Sequence, residues 1–279
     1  MRKGLFVLLL LRLAVLRIPV VRTAHNETAH EGGGRFERIA LRLFARRARM
    51  WIVLNRHTVL PVGVRRVLIP HGDYREWFAS VSSTTPPVAG RALYFGLIRP
   101  YKGVDRLLEA FAAIPDPALS LHIAGKPSDA ALEHRVRGLA AADPRVEALL
   151  TYVGDQALAR EVSEASLVVL PYEEMHNSGA ALLALSLNRP VLLPRSPVSV
   201  DLAAEVGSGW VQVYEGTLTA DRLEQAIAES AHRPELPPAL QGRDWATVAA
   251  LHADAFTEVA GALSPLHNVG LDPDKAATR

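Results

Sequence analysis

The chain has no cysteine among its 279 residues, so disulfide bonds and thiolate catalysis are excluded. It also lacks a Walker A phosphate-binding motif and the Gly-x-Ser-x-Gly turn that carries the nucleophilic serine of many hydrolases. No Gly-x-Gly-x-x-Gly fingerprint follows a predicted strand, which disfavours a dinucleotide-dependent oxidoreductase. A chain without cysteine fits a reducing compartment, and we expect a cytoplasmic protein.

The first eleven residues have a basic start and an apolar run, as a signal peptide does. Arg12 and Arg17 interrupt that run, and no small-x-small cleavage site follows. The segment is also too short and too charged to span a bilayer. We therefore predict a helix over 4–17, ended by Pro19, and a short buried strand over 20–25.

Basic residues are concentrated near the start of the chain. Residues 1–70 contain 14 lysines and arginines and only 3 acidic residues, whereas the whole chain has a net charge of +2. A helix predicted over 35–49 has arginines on one face, at spacings of three or four residues: Arg35, Arg38, Arg42, Arg46 and Arg49. We expect this face to contact an anionic membrane at the inner leaflet. Nucleic acid is disfavoured, because no aromatic stacking platform or dimerising pattern accompanies the charge.

Regular alternation of strands and helices begins after a small, polar, proline-containing segment at 79–90, which we interpret as a linker. Strands are predicted at 92–96, 119–124, 149–153, 167–171, 190–193 and 210–214, and helices at 103–113, 129–141, 156–164, 178–187, 199–205 and 219–230. This order predicts an α/β fold with a doubly wound parallel sheet. The predicted domains are a partial first domain (1–78, with strands at 51–55 and 66–69), a second domain (91–244), a final helix (245–263) and a loose tail (264–279).

Two cations follow the first strand of the second domain. The segment 94–103 runs from that strand through a glycine turn to Arg99 and Lys102, and then into a helix. Ligands of doubly wound sheets bind at the carboxyl ends of the strands. Fixed Arg and Lys side chains there could neutralise a departing diphosphate without a metal ion, although two solvated surface charges would give the same pattern.

A second candidate segment joins the strand at 167–171 to the next helix. Asn177 or Ser178 suits a helix N-cap, and the N–H groups from Gly179 onward would face the strand ends, where an anion can bind. Glu173 or Glu174 could accept hydrogen bonds from a sugar. Ordinary helix capping beside exposed acids is the competing interpretation.

Weaker candidates stand at other strand ends. The turn at Gly125 and Lys126 would let a nucleoside approach the backbone, as in many α/β proteins. His25 ends the strand at 20–25, and a histidine at a strand end that faces a cleft can touch a sugar or accept a proton. His57 and His71 are further candidates. A lone histidine is more often structural.

Asp272 and Asp274 resemble an Asp-x-Asp metal motif but lie in the tail, so we expect no metal site.

Taken in order, the segments 94–103, 121–125, 152–154 and 170–190 resemble the GT-B glycosyltransferases, most closely bacterial exopolysaccharide and glycolipid enzymes of the large retaining family four. Residues 69–72 resemble the family's boundary motif. The resemblance implies a GT-B-like fold and a nucleotide-sugar donor, with GDP-mannose favoured. It implies the following roles: Arg99, Lys102, Asn177, Ser178 and Gly179 bind the donor diphosphate, Gly125 and Lys126 the nucleoside, and His25 and Glu174 border the sugar as catalytic residues, with no metal or other cofactor.

The sequence departs from this family in two ways. The family's paired glutamates would fall at Met175 and Leu183, so Glu174 is a shifted substitute and the stereochemical outcome stays open. The first domain is also about half the expected size, from which we expect an N-terminally truncated domain. We therefore predict a metal-independent glycosyltransferase acting on a glycolipid or polysaccharide precursor. The alternative is a degenerate protein that binds a nucleotide sugar without catalysis, and a sugar epimerase of the same fold is a minor rival.

Overall fold

The structure is a computed structural model that describes residues 2–24, 45, 47–81, 85–173, 175, 177–232 and 234–261. The chain forms two compact units, one made of residues 1–70 and 246–279 and the other of residues 71–245. These units divide the chain at other positions than the domain limits expected from the sequence, which stay predictions.

The strands of the described residues are β1 (Val20–Ala24), β2 (Ala48–Val53), β3 (Arg66–Leu68), β4 (Arg91–Phe95), β5 (Ser120–Ala124), β6 (Val146–Leu149), β7 (Leu167–Val169), β8 (Val191–Pro194) and β9 (Val211–Tyr214). The helices are α1 (Arg2–Val15), α2 (Arg75–Phe78), α3 (Val104–Ala112), α4 (Ala130–Ala141), α5 (Asp155–Glu164), α6 (Gly179–Ser186), α7 (Pro197–Val206), α8 (Ala220–Ser230) and α9 (Trp245–Gly261). A 3₁₀ turn covers Pro100–Lys102. No helix in this described part is both long and apolar enough to cross a membrane.

The first unit contains a parallel sheet in the order β1-β2-β3. Side chains of β2 alternate between its faces, as the twofold period of a strand requires. Met50 and Ile52 are buried in a cluster with Val248 and Val259 of α9, whereas Trp51 belongs to a cluster on the other side. The central strand is therefore apolar on both faces, as is typical of parallel sheets.

The second unit is built on a parallel sheet in the order β6-β5-β4-β7-β8-β9. Leu93, Ile123, Val168 and Leu192 on its strands are at most 1% exposed. The chain starts at β4, moves outward to β6, and then returns to β7 beside β4 before moving outward the other way. This reversal is a topological switch point, where ligands of doubly wound sheets bind. The predicted α/β class with a doubly wound parallel sheet is confirmed.

Several predicted elements differ from the structure by two or more residues at their limits, and two of them show why. The strand expected at 149–153 is β6, which ends at Leu149 because its register partner Ala124 is the last residue of β5. The helix expected to reach residue 49 ends earlier, since Ala48 already pairs with Val20 in the first sheet. Arg49 is therefore an exposed strand residue, and Arg35, Arg38, Arg42 and Arg46 lie outside the described residues, as does the tail at 264–279.

Candidate functional site

The carboxyl ends of β4 and β7 meet at the switch point of the larger sheet. After β4 the chain passes through Gly96, whose φ is 108°, to Arg99 and the 3₁₀ turn that ends at Lys102. After β7 it continues through Pro171 and Tyr172. The two loops that the sequence singled out on either side of the switch point are therefore neighbours.

Gly103 allows the backbones of these two loops to come together. Its φ is 64°, and a Cβ at this position would lie 2.4 Å from the carbonyl oxygen of Pro171. The backbone N–H of Glu173 donates a hydrogen bond of 2.9 Å to the carbonyl oxygen of Tyr101. Only glycine combines this backbone conformation with this close approach, so Gly103 fixes the position of the preceding Lys102.

Lys102 carries its charge in a poorly solvated position. Its Nζ lies 3.4 Å from the Tyr172 hydroxyl and 4.8 Å from the centroid of the Tyr172 ring. Burial, and secondarily the positive charge of Arg99, lowers the pKa of Lys102 to about 8. Within the described part of the chain this ammonium contacts Tyr172, which bears no charge. An anion bound here would offset both effects, because a nearby opposite charge stabilises the protonated form of lysine.

The start of α6 faces the same edge of the sheet. Ser178 is the N-cap, and its Oγ accepts a hydrogen bond of 3.1 Å from the N–H of Ala181. Gly179 is the first helical residue, so its N–H has no acceptor within the helix. Burial raises the pKa of the Tyr172 hydroxyl despite its hydrogen bond with the Ser178 side chain, so Tyr172 stays neutral. Tyr172 thus joins Lys102 to the helix start.

The structure gives Gly125 a packing role. A Cβ on Gly125 would lie 1.9 Å from the carbonyl oxygen of Gly96, so the turns after β4 and β5 stack only because no side chain is present. The N–H of Ile98 then donates to the carbonyl oxygen of Lys126 at 2.9 Å, and the Lys126 side chain is exposed. Binding of a nucleoside by Gly125 and Lys126 stays a prediction.

Of the remaining candidate residues, the structure describes three and leaves two outside the described ranges. His25 and Glu174 lie outside the described residues. His57 is an exposed residue of the first unit, whereas His71 belongs to the second unit and has its Nδ1 2.7 Å from the carbonyl oxygen of Gly72. Asn177 is half-buried and directly precedes the N-cap of α6.

Sequence reasoning missed two features of the site. It assigned no role to Tyr172, although a Pro-Tyr pair directly after a buried strand places the ring at the strand's carboxyl end. It also missed the ion pair between Arg106 of α3 and Glu173, at 2.5 Å. That pair lines a cavity of about 430 Å³ together with Tyr172, Arg195 and Tyr214. No group of three potential metal-ligating side chains occurs in the described ranges.

Three comparisons relate the chain to known proteins. The profile of the family described as "Glycosyl transferases group 1" matches residues 89–233. A GDP-mannose:glycolipid 4-beta-D-mannosyltransferase of Xanthomonas campestris pv. campestris is 46% identical over 256 residues, a match that covers 91% of this chain and 72% of the relative. A second protein of that name from the same organism is 47% identical over 257 residues.

Solved structures share the fold at lower sequence identity. Sucrose-phosphate synthase from Thermosynechococcus elongatus matches 89% of this chain and 71% of its own, with a TM-score of 0.64 and 20% identity. The Anabaena HepE protein in complex with UDP-glucose matches 95% of this chain and 77% of its own, with a TM-score of 0.62 and 16% identity. At these identities the likeness shows the GT-B fold alone.

Proposed function

The chain belongs to the group 1 glycosyl transferase family, and we propose that it transfers a mannosyl group from GDP-mannose to a glycolipid acceptor. It is a glycosyltransferase. The names of the two Xanthomonas relatives support the choice of donor and acceptor, at 46% and 47% identity. The arrangement around Lys102 at the switch point supports the binding of a diphosphate.

The poorly solvated cation at Lys102 is the observation that carries this proposal. Transfer of a sugar breaks the bond between its anomeric carbon and the diphosphate, so negative charge develops on the departing oxygen. Lys102, Arg99 and the start of α6 at Ser178 and Gly179 supply positive charge and N–H donors that need little reorganisation. Because such interactions strengthen as charge develops, they lower the barrier for departure of GDP.

We propose that the transfer inverts the configuration of the mannose. GDP-mannose carries the sugar in the α configuration, and the relatives are named as 4-beta-D-mannosyltransferases. A hydroxyl oxygen of the acceptor attacks the anomeric carbon, the bond to the phosphate oxygen breaks, and GDP leaves with the bonding electron pair. A base takes the proton of the attacking hydroxyl. His25, which directly follows the last residue of β1 in the sequence, is our candidate for this base, and Glu174 for a contact with the donor sugar.

Inversion also agrees with the side chains at the family's paired-glutamate positions. Met175 and Leu183 stand there, and both are buried in the apolar core of the second unit. The same observation favours the alternative, a protein that binds a nucleotide sugar without catalysis.

Contact with an anionic membrane is a further part of the proposal. It rests on the basic composition of residues 1–70, which contain 14 lysines and arginines. Co-sedimentation with vesicles of an anionic phospholipid, compared with vesicles of phosphatidylcholine alone, tests it. Equal recovery of the chain with both kinds of vesicle would exclude this contact.

A transfer assay distinguishes catalysis from binding. The acceptor is a glycolipid extract from cells that lack this chain, and the donor is GDP-mannose labelled in the sugar. We expect label in the lipid fraction with the wild-type chain and none with the Arg99→Ala, Lys102→Ala double variant, whereas Arg137→Ala on the exposed face of α4 retains activity. Binding of GDP-mannose without any transfer of label would favour the non-catalytic alternative.

A further inference from the structure

Two polar side chains from residues 71–74 lie against the first turn of α6. A Cβ added to Gly179 would lie 2.9 Å from the Tyr74 hydroxyl oxygen and 3.7 Å from Nε2 of His71. Both groups therefore stand directly over the first residue of the helix, and all three residues belong to the second unit. The absence of a side chain at Gly179 leaves this space to the Tyr74 hydroxyl and the His71 ring.

The segment that carries these side chains is held at several points within the unit. The N–H of Tyr74 donates to Oγ of Ser186, at the other end of α6, over 2.9 Å. Nε1 of Trp245 donates to the carbonyl oxygen of Asp73 over 2.8 Å, and the ring of Trp245 lies edge-on to that of His71. These contacts fix the segment against α6, so the two polar groups are positioned before any ligand binds.

The ring of His71 is oriented by its own backbone. Its Nδ1 lies 2.7 Å from the carbonyl oxygen of Gly72, and a carbonyl oxygen can only accept, so Nδ1 bears a hydrogen. Nε2 is then the nitrogen directed toward Gly179, and a second proton there gives a cation that donates a hydrogen bond. Arg243 donates a hydrogen bond to the carbonyl oxygen of His71. Its positive charge is neutralised by its ion pair with Glu205.

Two sets of polar groups therefore stand at the start of α6. Lys102, Tyr172 and Ser178 form a connected row that ends at the N-cap. Tyr74 and His71 lie against Gly179, the first helical residue. A diphosphate bound at the N–H groups of the first turn has enough oxygen atoms to engage both sets.

We propose that His71 and Tyr74 are positioning residues for the distal phosphate of the nucleoside diphosphate. This inference rests on the proposed function, since it assigns two more contacts to the same donor site. The inference distinguishes the two phosphates, because the side chains stand at the start of α6, which follows β7. The turn at Gly125, proposed for the nucleoside, follows β5 on the other side of β4. Loss of either side chain should weaken the binding of GDP and leave the binding of GMP, which lacks the distal phosphate, unchanged.

The test is calorimetric titration of the full chain with GDP and with GMP. We expect His71→Ala and Tyr74→Phe each to weaken GDP binding about tenfold, the loss expected for a hydrogen bond to a charged group, with GMP affinity unaltered. His134→Ala, at an exposed position of α4, is the matched control and should bind both nucleotides as the wild-type chain does. Thermal unfolding midpoints of all variants show whether each is folded.

The remaining outcomes separate this inference from the proposed function. Equal weakening of GDP and GMP binding would show a purely structural role for His71 and Tyr74. Unchanged GDP binding by both variants would overturn this inference and leave the donor site intact. Absence of any GDP or UDP binding by the folded wild-type chain would overturn the proposed function together with this inference.

Discussion

Nζ of Lys102 lies 3.4 Å from the hydroxyl of Tyr172, and this contact joins the two loops at the switch point of the larger sheet. The ammonium also faces the Tyr172 ring, which gives it a weak cation–π attraction in place of water. The ring replaces the lost hydration of the ammonium only in part, since the pKa of Lys102 falls to about 8. The site thus holds a positive charge that its own surroundings only partly stabilise, and a bound diphosphate would complete that stabilisation.

The lowered pKa of Lys102 predicts how the stability of the unliganded chain varies with pH. Between about pH 8 and the ordinary lysine value of 10.5, the unfolded chain binds more protons at this residue than the folded chain. The free energy of unfolding should therefore gain a favourable contribution as the pH rises through this window. Urea unfolding at pH 7.5 and 9.5 measures it, and Lys102→Met should remove it, whereas Lys126→Met at an exposed position should not. An identical pH response in wild type and Lys102→Met would contradict the assigned burial.

Charge neutralisation by Arg99 and Lys102 predicts that transfer needs no added metal ion. In the proposed binding mode these side chains would take the place of a divalent cation beside the diphosphate, so EDTA should leave the initial rate of mannosyl transfer within about twofold of its value in Mg²⁺. The measurement is the labelled-mannose assay with and without EDTA. A loss of activity in EDTA that Mg²⁺ or Mn²⁺ restores would show that a metal participates.

Gly103 should tolerate substitution far less than another glycine of the same unit. Gly103→Ala puts an L residue at a φ of 64° and a Cβ 2.4 Å from the Pro171 carbonyl oxygen, so we expect a loss of at least ~1–3 kcal/mol in the free energy of unfolding, with weaker GDP binding. Gly138→Ala, in α4 with open space around it, should instead stabilise by roughly 0.5–1 kcal/mol. Urea unfolding compares the two variants, and similar values for both would refute the close approach at Gly103.

Arg189 is predicted to matter for stability and not for the donor site. Its guanidinium is buried and donates to the carbonyl oxygens of Val162, Ser163 and Asn188, which lie before β7 and β8 at the amino edge of the sheet. Arg189→Met leaves these acceptors without a partner and should cost roughly 3 kcal/mol.

GDP affinity of the folded Arg189→Met variant should stay within about twofold of wild type, because ligands of such sheets bind at the opposite, carboxyl edge. Arg137→Met at an exposed position is the control for stability. A selective loss of GDP binding in a stable Arg189→Met protein would not fit this division of roles.

Much of the second unit was predictable, because strand–helix alternation and apolar runs are local properties of the sequence. The position of Lys102 at the carboxyl end of a strand, where ligands bind, followed from the rule for doubly wound sheets. The individual contact between Lys102 and Tyr172 did not, since it joins residues 70 positions apart.

The limits of β6 and the reason for Gly125 also escaped prediction. Both depend on the neighbouring segments of the chain. The pairing of β6 stops at Ala124, the last residue of β5, and the carbonyl oxygen of Gly96 leaves no space for a side chain at Gly125. Such partners become known only when the sheet is assembled.

The most direct test of the donor site is titration of the full chain with GDP in the absence of metal ions. The titration compares wild type, the Arg99→Ala, Lys102→Ala double variant, and Arg137→Ala on the exposed face of α4 as a control for exposed positive charge. We predict micromolar binding to wild type and to the control, typical of enzyme substrates, and at least about a hundredfold weaker binding to the double variant. Equal affinity of the folded double variant and the wild type would contradict the assignment of the diphosphate site.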